Sequence, residues 1–368
     1  SFYLLVMIQS TDTKVLLLLA FMATIIGGLL GLVVLLMLYS LSNLTLGKDQ
    51  KNKHGIGEEV SRFGGIAIFL GVLAYFISSS LWFEHGAHGD LGENLRGYEL
   101  FALAVGVIGL CEDCKFPLKP RTRLFLASIV VVIGALYNPE LVPKRVEFWL
   151  VNDFLNHPVL LFLGVVIIVV GFINAGNISD GANGLLAINA MSVFVLMYLQ
   201  ASSVLYFSLL VSLGVFSMYN IFSGKIFLGD FGSYTLSALM ALCCLDLYVS
   251  TNASVWFFAS ILSYPCTEIV RVMVNRALKH KSPFSADNSH VHNKLYEAIN
   301  RKGFNTLAAN SLTGILLGVC FSVVPVTLAV TGLLPWEQEM WGIYFLISVL
   351  VHLLLSRIKV SNTDPQTV

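Results

Sequence analysis

Long apolar runs separated by short polar loops make up most of this sequence. A transmembrane α-helix needs about 20 mostly apolar residues, whereas a strand of an outer-membrane barrel needs only about 10 residues of alternating character. The runs approach the helical length, so we predict an all-α, polytopic integral membrane protein with about eleven transmembrane helices. The predicted runs cover about residues 15–41, 63–83, 98–111, 124–138, 158–173, 184–200, 203–222, 232–248, 253–274, 308–334 and 340–356.

The composition agrees with a membrane protein and excludes two other classes. Hydrophobic residues make up 56% of the 368 residues and charged residues 12%, and the mean hydropathy is +0.79. A soluble domain carries about 25% charged residues, and a disordered chain is poor in apolar residues. The 22 basic residues balance 22 acidic ones, so no bulk field favours nucleic acid. We therefore predict a lipid bilayer as a partner and no nucleic-acid partner.

The basic residues are sorted between the two sides of the predicted bundle. Loops after alternate helices, together with the C-terminal tail, hold 18 of the 22 Lys and Arg residues. Lys and Arg accumulate in cytoplasmic loops, which places the N-terminus outside the cytoplasm and the C-terminus inside it. We predict a single transmembrane domain over residues 1–368, with cytoplasmic loops at about 43–62, 112–123, 174–184, 223–232 and 275–307.

Acidic residues lie where apolar runs meet these loops. Four carboxylates brought together would repel one another, so such a cluster implies a bound cation or strongly shifted pKa values. Amide side chains accompany them, and hard oxygen ligands favour Mg²⁺ over a softer metal. The alternative is that each acid is a helix N-cap. The acids are Glu112, Asp113, Asp180 and Asp230, and the amides are Asn177 and Asn183.

Glycines and basic residues of the same loops favour phosphate binding. The glycines stand near predicted helix starts, where exposed backbone N–H groups receive phosphate. The basic residues could clamp phosphate oxygens, Arg bidentately, or could only touch anionic lipid head groups. The glycines are Gly181, Gly184, Gly229 and Gly232, and the basic residues are Lys115, Lys119, Arg121 and Arg123.

Two histidines lie in the loop at 275–307. His290 and His292 are two residues apart, and the sequence places no third nitrogen or sulfur ligand beside them for a soft metal. We therefore predict that they bind a phosphate or a sugar hydroxyl. A solvated loop is the alternative.

Two further acids, Asp246 and Glu268, lie inside apolar runs. An intramembrane acid is a functional candidate by default, although Glu268 could instead pair with Arg271 one turn on. Pro265 is expected to kink the helix that carries Glu268. These acids support a second hypothesis, an ion- or proton-coupled membrane transporter, whose coupling acids would lie between broken helices.

Five motifs in this order resemble those of the polyprenyl-phosphate N-acetylhexosamine-1-phosphate transferases. They are Lys53-His54 with Gly64-Gly65, the pair Glu112-Asp113, N-x-x-D-G-x-N-G from Asn177, G-D-x-G-S from Gly229, and the H-x-H loop from His290. The resemblance covers about residues 48–305. It implies ten or eleven helices, a cytoplasmic active site in the bacterial inner membrane, and Mg²⁺, with Mn²⁺ as a substitute. Such enzymes transfer a sugar phosphate from a UDP-sugar to undecaprenyl phosphate and release UMP.

The resemblance also implies roles for individual residues. Asp230 and Asp113 match metal-binding positions, and Glu112 stands where the family has the first Asp of its acidic pair, a proposed general base. The implied catalytic residues are Glu112, Asp113, Asp180 and Asp230. The implied substrate-binding residues are Lys53, His54, Arg121, Arg123, Asn177, Asn183, His290 and His292.

One departure from the family pattern favours a branch. The muramoyl-pentapeptide enzymes have three consecutive histidines, whereas Asn293 follows the H-x-H pair here. The chain therefore looks closer to the N-acetylglucosamine branch, with phospho-N-acetylmuramoyl-pentapeptide transferase as the alternative within the family. A homodimer is a candidate assembly. The sequence leaves open which N-acetylhexosamine is transferred and which glycan uses the product.

Overall fold

The described part of the chain is helical. The computed structural model describes residues 2–44, 60–82, 97–116, 118–146, 156–282 and 289–358, with the side chains of 2–16, 26 and 76–82 outside that set. Lys53 and His54, with much of the predicted loop at 43–62 and part of that at 275–307, lie outside the described residues. Within the described ranges there is no β-strand, so the predicted all-α class is confirmed there.

The α-helices follow the apolar runs of the sequence. A 3₁₀ turn at Pro139–Leu141 follows α4, and a π-helix at Val319–Val323 joins α12 to α13. The α-helices are α1 Phe2–Ser42, α2 Gly64–Trp82, α3 Tyr98–Asp113, α4 Pro120–Tyr137, α5 Pro158–Ser179, α6 Leu185–Ala201, α7 Val204–Ser223, α8 Gly229–Ser250, α9 Val255–Ile261, α10 Ser263–Leu278, α11 Val291–Asn300, α12 Thr306–Gly318, α13 Val324–Val330 and α14 Trp341–Leu355.

Several of these helices have the length and polarity of membrane spans. Among the described residues, α4, α5, α7, α8 and the continuous α12–α13 segment are long and apolar enough to cross a bilayer, and the bent α9–α10 pair makes a sixth. Large apolar side chains are exposed on the outside of the bundle, such as Ile167 on α5 and Leu346 on the shorter apolar helix α14. Lipid would cover such surfaces. The chain is therefore a multi-pass helical membrane protein, and the count of eleven crossings stays a prediction.

Helix α8 lies at the centre of the bundle and meets its neighbours through glycines. A Cβ atom on Gly65 of α2 would lie 2.3 Å from Cα of Gly232, and one on Gly109 of α3 would lie 2.3 Å from the carbonyl oxygen of Asp230. A Cβ on Gly176 of α5 would lie 1.8 Å from Oγ of Ser237. Small residues allow helices to approach this closely in a membrane. These close contacts bring the N-terminal end of α2 and the C-terminal ends of α3 and α5 to the N-terminal half of α8.

A short extended segment fixes the start of α8. Ser61 and Ile226 form an isolated parallel bridge. The carbonyl of Ser61 accepts the N–H of Phe227 at 2.8 Å, and Gly64 and Gly65 donate to the carbonyls of Phe227 and Leu228 at 2.9 and 2.8 Å. This pairing holds the residues before α2 against the residues before α8.

The run predicted at 253–274 is broken, as Pro265 led us to expect. Its two halves, α9 and α10, are bent by 78°. The break lies at Leu262, so that Pro265 is the third residue of α10. A proline is tolerated in the first turn of a helix because the N–H it lacks has no intrahelical acceptor there. The bend turns α10 towards α14 and the loop that carries the two histidines.

Candidate active site

Asp113 joins the end of α3 to the start of α8. The buried carboxylate accepts the backbone N–H of Asp230 at 3.0 Å and that of Phe231 at 2.8 Å. These are first-turn N–H groups, which have no acceptor within their own helix. Asp113 therefore caps α8 across the bundle, which is a different role from the local N-cap considered for each acid. Two of the amides that could have received a phosphate at this helix start are therefore already bonded.

Arg62 bridges two of the predicted carboxylates. Its Nε lies 3.2 Å from Oδ1 of Asp113, and its Nη2 lies 2.6 Å from Oδ1 of Asp230. Two carboxylates this close would repel each other, and the shared guanidinium offsets that repulsion. The sequence places Arg62 in the same set of predicted cytoplasmic loops as the acids, but the predicted site residues did not include it. Its position two residues before the Gly-Gly start of α2 was the available signal.

Arg123 extends the ion-pair cluster from the first turn of α4. Its Nη1 lies 3.3 Å from Oδ2 of Asp230 and 3.7 Å from Oε2 of Glu112. A cation in the first turn of a helix is opposed by the helix dipole, so these acids offset an unfavourable placement. Arg121 lies in the same turn and is exposed.

Asp180 belongs to the same electrostatic cluster. It follows the last residue of α5, where its backbone N–H donates to the carbonyl of Gly176 at 3.0 Å. Burial raises the pKa of Asp180 well above its ordinary value. The nearby carboxylates of Asp230 and Asp113 raise it further, and Arg62 lowers it. The electrostatic coupling therefore joins Asp180 to the end of α3 and the start of α8.

The two predicted amides bind protein groups. The buried Asn183 donates from Nδ2 to Oγ of Ser311 at 3.3 Å, and its backbone N–H donates to Oδ1 of Asn310 at 2.8 Å. Asn220 accepts the N–H of Gly184 at 2.7 Å. These bonds tie the loop after α5 to α7 and α12. Asn177, near the end of α5, lies near Tyr234 of α8.

Residues 289–292, called the histidine loop, lead into the first turn of α11. This segment is organised around Glu268, which is fully buried. Its Oε1 lies 2.6 Å from Nη2 of Arg271 and 2.9 Å from Nδ1 of His290. Its Oε2 lies 2.8 Å from Nε2 of His352, near the end of α14. The pairing of Glu268 with Arg271 that the sequence left open is therefore present, with two histidines added to it. His352 was missed because an isolated histidine within an apolar run carries no local signal.

The histidine loop contacts the loop that carries Asp180. The rings of His290 and His292 stack, with centroids 5.2 Å apart. Nδ1 of His292 lies 3.1 Å from the hydroxyl of Tyr264. A Cβ atom on Gly181 would lie 2.1 Å from Nε2 of His292, so only glycine leaves room for the ring. The structure therefore brings together the acids after α3 and α5, the start of α8 and both histidines.

The donor chemistry of the carboxylate cluster fits a hard divalent cation. Each carboxylate oxygen has about two lone pairs, and Oδ2 of Asp113 accepts only the N–H of Phe231 among the described contacts. The buried Oε2 of Glu112 has no hydrogen bond within the described part of the chain. Among the described residues no three His, Cys, Asp or Glu side chains converge as a metal cage. Mg²⁺ commonly uses only one or two carboxylates together with substrate phosphates.

Comparisons with known proteins find relatives that match most of the chain. A family model described as "Glycosyl transferase family 4" matches residues 95–248. The chain is 31% identical to an "Undecaprenyl-phosphate alpha-N-acetylglucosaminyl 1-phosphate transferase" of Thermotoga maritima, over 74% of this chain and 79% of that protein. It is 28% identical to a "Probable undecaprenyl-phosphate N-acetylglucosaminyl 1-phosphate transferase" of Bacillus subtilis, over 82% and 81%. A "Phospho-N-acetylmuramoyl-pentapeptide-transferase" of Deinococcus radiodurans is 27% identical, over 62% and 74%.

Proposed function

The chain belongs to glycosyl transferase family 4, and we propose that it transfers N-acetylglucosamine 1-phosphate from UDP-N-acetylglucosamine to undecaprenyl phosphate. A phosphate oxygen of the acceptor attacks the phosphorus bonded to the sugar oxygen. The bond from that phosphorus to the oxygen bridging the two phosphates breaks, and UMP leaves. The product is a lipid diphosphate that carries the sugar.

The observation that carries the proposal is the joint cluster of Asp113, Asp230, Arg62 and Arg123. Both reactants are phosphate anions, and two unit charges about 4 Å apart repel by about 4 kcal/mol at an effective dielectric constant of about 20. Guanidinium groups bind phosphate oxygens bidentately and offset that repulsion. In the proposed reaction Arg62 and Arg123 exchange part of their carboxylate contacts for phosphate contacts. Glu112, Asp113 and Asp180 are the proposed acids and bases.

We propose Mg²⁺, or Mn²⁺ in its place, as the cofactor. Asp113 and Asp230 would hold it, since they are the two carboxylates joined by Arg62. When bound, the metal supplies positive charge to the diphosphate and steadies the departing UMP.

The proposed topology has eleven crossings, with the N-terminus in the periplasm and the reactive loops in the cytoplasm. The sorting of 18 of the 22 basic residues supports it. The acceptor supports a membrane-surface site, because removing its prenyl chain from lipid costs roughly 0.8 kcal/mol per CH₂. The bacterial inner membrane is the proposed location, and the homodimer stays a prediction.

The choice of N-acetylglucosamine over a muramoyl-pentapeptide rests on two observations. The relatives in Bacillus subtilis and Thermotoga maritima are matched over more of this chain than the relative in Deinococcus radiodurans. Asn293 also replaces the third histidine of the muramoyl-pentapeptide pattern. We do not propose a transporter, because the carboxylate of Glu268 is engaged by Arg271, His290 and His352.

A radiolabel assay tests the proposal. The purified protein, reconstituted in lipid, is given undecaprenyl phosphate and each of a panel of UDP-sugars. We expect labelled lipid and an equal amount of UMP from UDP-N-acetylglucosamine, loss of both with EDTA, and recovery with excess Mg²⁺. Asp230→Ala is expected to abolish transfer. Transfer at the wild-type rate by Asp230→Ala, or in EDTA, would overturn the metal assignment, and absence of transfer from every UDP-sugar would overturn the function.

A further inference from the structure

Glu268 is a buried carboxylate whose hydrogen bonds all go to three neighbouring side chains within the described residues. It is fully buried, so it cannot touch a substrate. Four N–H groups point at its two oxygens: Nε and Nη2 of Arg271, Nδ1 of His290, and Nε2 of His352. A carboxylate has about four lone-pair sites and no donor, and every site is used.

The network fixes which nitrogen of His290 carries its proton. Nδ1 lies 2.9 Å from a carboxylate oxygen, and only a protonated nitrogen can donate there. Neutral His290 therefore keeps its lone pair on Nε2. The ring is half-buried, so Nε2 is the atom that remains for a substrate hydroxyl or a transferable proton. A carboxylate that orients a histidine in this way is a common device in active sites.

The same network holds the backbone of the histidine loop. Nη2 of Arg271 donates to the carbonyl of Ser289 at 2.9 Å, directly before His290. His290 stacks on His292, whose ring fills the space beside Gly181. A line of contacts thus runs from Glu268 through the histidine loop to the neighbour of Asp180.

His352 extends the network to α14. Its Nδ1 is buried and has no hydrogen bond within the described residues, which places its proton on Nε2, facing Glu268. The rings of Tyr264 and Phe321 pack against it, with centroids 5.3 and 6.1 Å away. The last described helix therefore contributes a donor to a network that ends at the candidate active site.

We propose that Glu268 is a positioning residue for the transfer reaction, which holds His290 with Nε2 available to the substrate and holds His292 against the Asp180 loop, and that His352 supports it from α14. The inference rests on the proposed function. Glu268→Gln would put an amide NH₂ group opposite the two donors that share one of the carboxylate oxygens, so the loop would lose its fixed position. A displacement of about 1 Å in a catalytic group can cost on the order of 100-fold in rate.

A double-mutant cycle in the transfer assay tests the inference. We expect Glu268→Gln to lower kcat on the order of 100-fold with a smaller change in KM, and His290→Gln to lower it at least as far. If Glu268 acts through His290, Glu268→Gln adds little in the His290→Gln background. If the fold-reduction of kcat in the double variant equals the product of the two single reductions, the residues act independently and the inference would be overturned.

Substitutions at His352 test the same network if Glu268→Gln does not fold. His352→Gln keeps an N–H donor for Glu268, whereas His352→Leu does not. We therefore expect His352→Gln to retain more of the wild-type kcat than His352→Leu. Equal losses would contradict the role of His352. Ser322→Ala is the matched control, because it removes buried bonds to Asn189 and the carbonyl of Ile261 and is expected to lower the melting temperature while kcat is retained.

A measurement without activity separates this inference from the proposed function. We expect Glu268→Gln to accelerate amide hydrogen exchange in residues 289–295 and 180–184, with Ser322→Ala leaving those segments unchanged. Faster exchange in a protein that transfers no sugar would retain the positioning role and overturn the proposed function. If the wild type and Glu268→Gln both transfer sugar and their exchange rates are the same, the proposed function would be retained and the positioning role of Glu268 would be overturned.

Discussion

Asp113 serves two purposes in this site. Its carboxylate caps α8 through two backbone N–H groups and shares the charge of Arg62 with Asp230. The sequence could identify the acids, because Glu112, Asp113, Asp180 and Asp230 each stand where an apolar run meets a predicted cytoplasmic loop. It could not assign their partners, since the choice of Arg62 as the bridging cation depends on how α2, α3 and α8 pack.

Asparagine at position 113 tests both the structural and the chemical role of Asp113. Asp113→Asn keeps one oxygen acceptor and puts an amide donor beside the N–H groups of α8, and a buried unpaired donor costs about 1–3 kcal/mol. We expect a lower melting temperature and a transfer rate reduced on the order of 100-fold or more. Thermal unfolding in detergent and the transfer assay measure the two effects.

Glu112→Gln is the companion variant. Within the described residues Glu112 has a 3.7 Å ion pair with Arg123 and no hydrogen bond to its buried Oε2. We therefore expect Glu112→Gln to change the free energy of unfolding by no more than about 0.5 kcal/mol. A large loss of rate without a loss of stability would assign the general base to Glu112. Wild-type stability in Asp113→Asn would contradict the capping role.

The pH dependence of stability tests the burial of Asp180. Its pKa is raised in the folded protein above the ordinary value of about 3.9, so the folded state holds the proton more tightly than the unfolded state. The stabilisation from protonated Asp180 is then complete below about pH 3.9 and is lost as the pH rises through the raised pKa. We expect the melting temperature of Asp180→Asn to fall less than that of the wild type over this rise. Melting temperatures of the wild type and Asp180→Asn that fall in parallel as the pH rises would contradict the raised pKa of Asp180.

At the scale of secondary-structure elements, the pairing of residues 61–65 with 226–228 positions the site. Apolar periodicity predicts helices and carries no information about a backbone pairing between two loops, so this feature could not be predicted. The bend between α9 and α10 could be predicted, because Pro265 cannot lie inside a straight helix. The break falls at Leu262 because the first turn of α10 accommodates the proline.

Gly229 tests whether this pairing matters for catalysis. Its φ is +77°, and an added Cβ would lie 1.9 Å from the carbonyl oxygen of Arg62. We expect Gly229→Ala to cost about 1–3 kcal/mol of stability from backbone strain and to lower transfer on the order of 100-fold by displacing Arg62. Gly164→Ala in α5 is the control, because its Cβ would meet nothing within 4 Å. Equal activity in the two variants would argue against the positioning role of the pairing.

At the scale of the whole molecule, the sequence predicted a helical membrane protein from run length and an orientation from charge. It could not predict which helices touch, because lipid-facing and buried apolar residues look alike in a sequence. Ile167 and Leu346 are exposed, whereas Ile173 and Leu236 are buried. The central place of α8 therefore required the structure.

Cysteine labelling tests the orientation. Ser202 and Lys225 are both exposed and lie beyond opposite ends of α7. In a background without the native cysteines, a membrane-impermeant thiol reagent added to intact cells should label Ser202→Cys and leave Lys225→Cys unmodified. Both should react after permeabilisation. Labelling of Lys225→Cys but not of Ser202→Cys in intact cells would show the opposite topology, with the acidic cluster outside the cell.

The glycine contacts around α8 restrict how this enzyme could be redesigned. Because Gly65, Gly109 and Gly176 leave no space for even one methyl group, the surface of α8 that they touch cannot be enlarged or reshaped to suit a bulkier sugar. Any attempt to broaden donor choice by engineering should therefore leave the central helix intact and be directed at the loops that surround it.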